Sequence, residues 1–405
     1  VSVALVCVGI TSGVVGCDDT SGATLAPNEQ ADWERGAMMR IVQYDPVAGA
    51  PTMQVVSKRE EVYGPSMSSP RLAFSAGDTL EINPGSFGCS IAGLGCESDV
   101  TALRQRVAER GGDPPVLSFA REGDVWTPRD SLTQTVATVS FHVHDAISAH
   151  AAFGYVPAQS LLAYVHPTLA GWYSLGLPLF DNASYTQPLD GLLVLPSRRD
   201  SGLGASVNRG VLFHEYHHRV FAHHMYRGNL VRLLASGVVD DPGALARNRL
   251  QALDEGVADF FGAYGAGNAN YLAWSFDAAE AERRRLDVPR VFLAEWLDGE
   301  LPRYDVARGD PRLYDPYAPG AVFAAFLWSL QSWMTLDAIA TCWMQTEARL
   351  GEQLDGRLHA FEFVTPLRML MALIETQHPE ALAPACGLLR ERFAAVYSRV
   401  TECNI

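Results

Sequence analysis

The stretch Leu212-Phe213-His214-Glu215-Tyr216-His217-His218-Arg219-Val220-Phe221 constrains this chain more than any other. Within it His214, Glu215 and His218 spell HExxH. In a helix of about 3.6 residues per turn, positions i and i+4 lie one above the other. Two imidazoles so placed can grip one ion, with Glu215 beside it in reach of a water. That is the ligand-and-base spacing that suits zinc. Val211, Leu212, Phe213, Val220 and Phe221 supply apolar residues around the motif, so the helix is expected to be buried. Buried polar groups without partners are costly, and a bound cation accounts for them.

Two histidines leave a ligand to be found. Downstream runs Leu253-Asp254-Glu255-Gly256-Val257-Ala258-Asp259-Phe260-Phe261-Gly262, again helical in pattern. Glu255 and Asp259 are four apart and share a face. Glu255 would complete a His2Glu site. Asp259 would accept the N–H of a ligating imidazole, the contact that sets its tautomer. The bland alternative is a solvated acidic face. No CxxC spacing occurs, which argues against cysteine ligation of the metal.

HEYHH followed by DEGVADFFG resembles the gluzincin metallopeptidases, most closely the fungalysin and thermolysin-like families, whose second motif reads roughly EGxxD. Upstream, Asp181-Asn182-Ala183-Ser184-Tyr185 and Asp190-Gly191 are similar to those families' edge-strand segment. Asn208-Arg209-Gly210-Val211 ahead of HEY fits as well, and Phe141-His142-Val143-His144-Asp145 through Phe153-Gly154-Tyr155 is similar to the fungalysin HD…FG helix. The likeness covers residues from about 136 to 335.

This resemblance implies an α+β, two-lobed thermolysin-like fold, with an α/β lobe before the zinc cleft and a mainly helical lobe after it. It also implies a zinc endopeptidase with one Zn2+ per chain and a peptide or protein substrate. Glu215 would act as general base, taking a proton from water and returning it to the leaving amine. Asn182 and the Ala183 backbone would pair with an extended substrate as an added strand. Arg285 matches the family's substrate-carbonyl arginine, or is one of three solvated arginines in the run Arg283-Arg284-Arg285. Thermolysin-like enzymes place a transition-state histidine in a segment resembling Pro316-Tyr317-Ala318-Pro319-Gly320, where this chain has Tyr317. A phenol can donate the same hydrogen bond to an oxyanion. The intact Glu215 favours an enzyme over the alternative, a retired gluzincin-fold lipoprotein that binds zinc or peptide without turnover.

Charge and cysteines place the chain. A net charge of −15 argues against nucleic acid and anionic membrane surfaces as partners. Residues 1–17 are apolar and small up to Gly16-Cys17, too short to span a bilayer but suited to a signal peptide. Val14-Val15-Gly16-Cys17 resembles the bacterial lipobox, whose Cys is acylated, although no Lys or Arg precedes the apolar run. A buried N-terminal strand is the other reading. Membrane contact is expected only through the lipid on Cys17, at the bacterial cell envelope or outside the cell, with the chain a monomer. Cys89 and Cys96 are expected to form a local disulfide after export. Cys342, Cys386 and Cys403 leave one pair and one free thiol. Calcium, which needs carboxylate clusters in a loop, finds only Asp240-Asp241 and stays an unsupported second ion.

In order, 18–36 reads as a polar tether. A β-rich region follows over 37–130, either a reduced pro-segment or an accessory module. Within it Arg40–Tyr44 and Met53–Val56 read as a hairpin, Gly64–Cys96 resists assignment, and Asp99–Arg110 reads as a helix. The α/β lobe spans 131–225, with strands at Leu161–Val165 and Leu192–Leu195. His142, His144 and His150 are taken as structural, since HxHD without the later partners of an amidohydrolase barrel makes no site. The helical lobe spans 226–405, opening on a long link from Tyr226 to Asn248, with helices expected at Asp277–Leu286, Ala318–Leu336 and most of 342–400.

Overall fold

A computed structural model describes residues 38–45, 50–57, 67–76, 79–81, 114–170, 180–197, 203–227, 245–298, 315–355 and 357–403. The expected signal segment with Cys17, the tether, the Cys89–Cys96 pair, the helix at Asp99–Arg110, Asp240-Asp241 and most of the link after Tyr226 lie outside these residues. Among those described the architecture is α+β.

The first sheet is built of two hairpins. β1 (Met38–Asp45) pairs antiparallel with β2 (Ala50–Ser57), and β5 (Phe119–Glu122) pairs with β6 (Val125–Pro128). Gly123 makes the second turn at φ 63, in the left-handed region that glycine enters without a Cβ penalty. β1 joins the hairpins through β6, giving the order β2-β1-β6-β5.

A second sheet carries the site. Its order is β3-β7-β10-β9, from Leu72–Ala76, Leu161–Val165, Gly191–Val194 and Ala183–Thr186. β3, β7 and β10 run parallel, and β10 is buried throughout, as parallel strands covered on both faces are. β9 is antiparallel to β10 and forms the edge. β3 arises from the Gly-, Ser- and Pro-rich stretch that resisted assignment, and it pairs with β7 from beyond residue 130. The boundary expected at 130 is therefore no structural seam. β1 also crosses it, since the Val42 N–H donates to Thr138 Oγ1 at 3.2 Å.

α1 (Ser131–Ala152) begins at Asp130, whose side chain accepts the Thr133 N–H at 2.7 Å. Its histidines sit against backbone oxygens: His142 3.3 Å from Val42 O, His144 2.6 Å from Ser140 O and His150 2.8 Å from Ala146 O. α2 (Arg209–Phe221) carries HExxH and is capped by Asn208, which accepts the Gly210 N–H at 2.9 Å. A π-helical turn, Ala222–Tyr226, extends it. α3 (Leu245–Ala266) packs on α2 and against α6 (Tyr317–Ser329), after the short α4 (Ala278–Arg283) and α5 (Glu295–Asp298).

Two glycines bring α3 and α6 together backbone to backbone. A Cβ built on Gly256 would lie 2.3 Å from Gly320 O, a distance no side chain tolerates. The buried helix expected over Ala318–Leu336 is divided: α6 passes into a 3-10 turn at Leu330–Ser332, and Thr335 caps α7 (Leu336–Gln353) by accepting the Ala338 N–H. α8 (Val364–Gln377), α9 (Pro379–Arg392) and α10 (Ala394–Tyr397) complete the chain around a core of Phe292, Phe323, Phe363 and Phe393. A Cys386–Cys403 disulfide fastens the C-terminal turn, and Cys342 is free and buried. No helix among the described residues is long and apolar enough to cross a membrane.

Candidate metal centre

α2 and α3 place His214, His218 and Glu255 together. His214 Nε2 and His218 Nε2 are 3.0 Å apart, and Glu255 Oε2 lies 3.5 Å from the first and 3.6 Å from the second. Among the described residues this is the group that could hold a metal ion.

The opposite ring nitrogens are occupied. His214 Nδ1 lies 3.1 Å from Asp259 Oδ1 and 3.1 Å from the Tyr271 hydroxyl. His218 Nδ1 lies 2.7 Å from Asp254 Oδ1. A carboxylate can only accept, so each Nδ1 carries a hydrogen, and in the neutral ring each Nε2 presents a lone pair. Glu255 Oε2 is buried without a hydrogen-bond partner. Burial works to lower both imidazoles, but Asp254 and Glu255 hold His218, and Asp259 and Glu255 hold His214, above the usual value, so the metal-free centre carries protons whose place a cation would take.

The surrounding carboxylates are tuned by burial and by their cations. Burial works to raise Asp259, but Arg284 and then His214 hold it at about 2. Burial raises Asp254, with His218 opposing, and Tyr226 donates to its second oxygen at 3.2 Å. Glu215 is pushed up by burial against the pull of His214 and His218. Its Oε2 accepts the Tyr185 N–H at 2.7 Å, while Oε1 stands 3.9 Å from His214 Nε2.

Asn182 and Ala183 lie at the start of β9, an end strand of the second sheet among the described residues. Ala183 pairs with Val194, and Asn182 O accepts the Leu195 N–H at 2.9 Å. Tyr317 is the first residue of α6, where its backbone N–H donates to Asp315 at 3.0 Å. It reaches the centre through Arg284, whose guanidinium sits 4.2 Å from the phenol ring.

Arg285 answers to the solvated one of its two expected readings. Its side chain is exposed and pairs with Asp287 at 2.5 Å and Glu282 at 3.5 Å. The arginine of the run that enters the centre is Arg284, which is buried and donates to Asp259 through Nε at 3.1 Å. Arg283 is held by Asp315 at 2.6 Å and Glu280 at 2.9 Å. The sequence reading passed over Arg284, Asp254, Tyr271 and Tyr185. Three acids at 254, 255 and 259 on one buried helix were the available signal for Asp254. Tyr271, which donates to Asp259 at 2.7 Å, arrives from a turn that carries no motif.

Comparison with protein-family models and with curated proteins finds no match to this chain.

Proposed function

We propose that this chain is a zinc-dependent endopeptidase with a thermolysin-like, two-lobed gluzincin fold, exported and anchored through a lipid on Cys17. One observation carries the reading: two histidine Nε2 atoms and a buried carboxylate oxygen without a hydrogen bond converge, with a second carboxylate beside them. Tetrahedral zinc with ligands at about 2.0–2.2 Å separates its donors by roughly 3.3–3.5 Å. The separations here, 3.0, 3.5 and 3.6 Å, bracket that value. His214, His218 and Glu255 would hold the ion. Asp259 and Asp254 keep both imidazoles in the ligating tautomer.

When bound, zinc supplies Lewis acidity and brings the pKa of a water to about 7. Glu215 Oε1, free of the strand that occupies Oε2, takes the proton from the attacking water and passes it to the leaving amine. The edge of β9 at Asn182-Ala183 takes an extended peptide as a further strand, aligning its carbonyl with the centre. Tyr317 O–H is the donor for the oxyanion, with Arg284 against its ring in place of the role expected of Arg285. The Cys386–Cys403 disulfide supports export, because such bonds persist in oxidising compartments.

The test is metal analysis of protein purified without chelator, alongside cleavage of casein or a quenched peptide. One zinc per chain is expected. Glu215→Gln should keep the zinc and lower turnover by about 10²–10⁴-fold, the usual worth of a positioned base. Wild-type protein that holds zinc yet cleaves nothing would instead identify a binding-only lipoprotein, and absence of zinc would sink both readings.

A further inference from the structure

One turn beyond Glu215, on the same face of α2, lies Arg219. Its side chain is fully buried. A buried guanidinium is stable only when paired and hydrogen-bonded. Arg219 meets Asp190 with two prongs, Nε to Oδ1 and Nη2 to Oδ2, both at 3.0 Å, and donates to Gln159 O at 2.9 Å.

Asp190 is itself held in an uncommon conformation, φ 45, at the end of the 3-10 turn between β9 and β10. A residue other than glycine seldom occupies that region, and it does so where the surroundings over-determine it. Here they do. Besides Arg219, Asp190 Oδ1 accepts the Tyr185 hydroxyl at 2.8 Å and lies 3.4 Å from His223 Nε2 on the π-helical turn. His223 is met in turn by the Tyr155 hydroxyl at 2.5 Å.

Tyr185 is thus held twice. Its phenol is fixed by Asp190, and its backbone N–H donates to Glu215 Oε2 at 2.7 Å. Glu215, the helix to Arg219, Asp190, and Tyr185 back to Glu215 form a closed circuit whose side-chain contacts involve none of the metal-holding residues. We propose that Asp190 and Arg219 are positioning residues for peptide hydrolysis, setting the edge strand against α2 so that Tyr185 N–H occupies one oxygen of Glu215 and leaves the other to carry the proton. This rests on the peptidase reading. Misplacing a reacting group by about 1 Å costs on the order of a hundredfold in rate, so such a circuit has a measurable effect.

The experiment compares Tyr185→Phe and Asp190→Asn with wild type by two measurements. Amide hydrogen exchange at residue 185, in metal-free and zinc-loaded protein, should accelerate about tenfold or more, because the hydrogen bond to Glu215 opens more often. Exchange within α2 should stay within about twofold of wild type. With a quenched peptide, kcat should fall between about tenfold and a hundredfold while KM shifts less than about threefold and zinc stays at one per chain. A merely structural role would lower kcat together with the folded fraction and leave exchange at 185 in step with α2. Should Asp190→Asn fail to fold, Tyr185→Phe, which removes one oxygen, decides alone. Unchanged exchange at 185, or kcat within twofold of wild type, overturns the proposal. A wild type that cleaves no peptide defeats the peptidase reading, and the exchange measurement still decides whether the circuit holds Tyr185.

Discussion

The histidines of α2 serve two clusters on adjoining faces of one helix, and the clusters differ in a way that residue type does not reveal. On one side, His214 and His218 point their Nε2 atoms at each other and at an unpartnered Glu255 oxygen. On the other, His217 lies between them in sequence and is fully buried. Its Nδ1 is 3.2 Å from His150 Nε2, its Nε2 is 3.1 Å from Glu347, and its ring stacks on Phe261 at 4.1 Å. Glu347 also takes the Trp343 N–H at 3.2 Å and lies 3.0 Å from His224 Nδ1. Each cluster joins histidines to a buried carboxylate. Only the first turns two Nε2 atoms and a carboxylate oxygen toward one point, and that, rather than the density of histidines, marks a place for a cation.

This contrast breaks if the two sides respond alike to substitution. The largest effect is expected for His218→Ala, which should weaken zinc binding by at least about a thousandfold, roughly 4 kcal/mol, as measured by competition with a chelator. Because it also strands Asp254, 2.7 Å from His218 Nδ1, metal-free protein should lose stability as well. Glu347→Ala is the converse. It strands His217 and His224 and should cost about 3–5 kcal/mol in urea unfolding, as breaking one partner of a buried pair does. Zinc stoichiometry should survive in the folded fraction, and its loss would merge the two clusters into one.

A smaller effect sharpens the first side. Asp259→Asn leaves the ligands in place but weakens the partner of His214, so zinc affinity should fall about 10–100-fold, or ~1.4–2.7 kcal/mol. The last test belongs to the closed side. Burial, aided by the charge of His217, pushes His150 down to about 3 from 6.5. In the unfolded chain it protonates near 6.5, so acidification below that value favours unfolding until pH reaches about 3. Metal-free protein should therefore lose stability steadily as pH falls through this window, by no more than about 1.4 kcal/mol per pH unit for this group. His150→Phe, filling the same aromatic-lined space, should flatten the slope. An unchanged slope would show that His150 is not its source.

Legibility in the sequence followed the range of the interactions. His214 and His218 are fixed by helical spacing alone, and Glu255 by a second pattern of the same kind. The hairpin of β1 and β2 was legible because turn residues separate two β-branched runs. β3 was not, since it gains its identity by pairing with a strand far along the chain. Arg284 was left among three solvated arginines because helix phase ends with the helix. α4 stops at Arg283, the next residue has φ −105, and the direction of the following side chains is set by what they meet. The circuit through Asp190 was hidden for a related reason, a backbone angle that nothing in Leu189-Asp190-Gly191 announces.

The meeting of Gly256 with Gly320 carries a consequence for how such a centre can diversify. Glu255 precedes one glycine, and Tyr317 stands about a turn before the other, so the spacing between ligand and phenol is inherited from main chain on main chain. No graded series of larger or smaller residues can stretch that interval, since the first added carbon already collides. Change at position 317 is thereby confined to exchanging one side chain for another, on a footing that stays where it is.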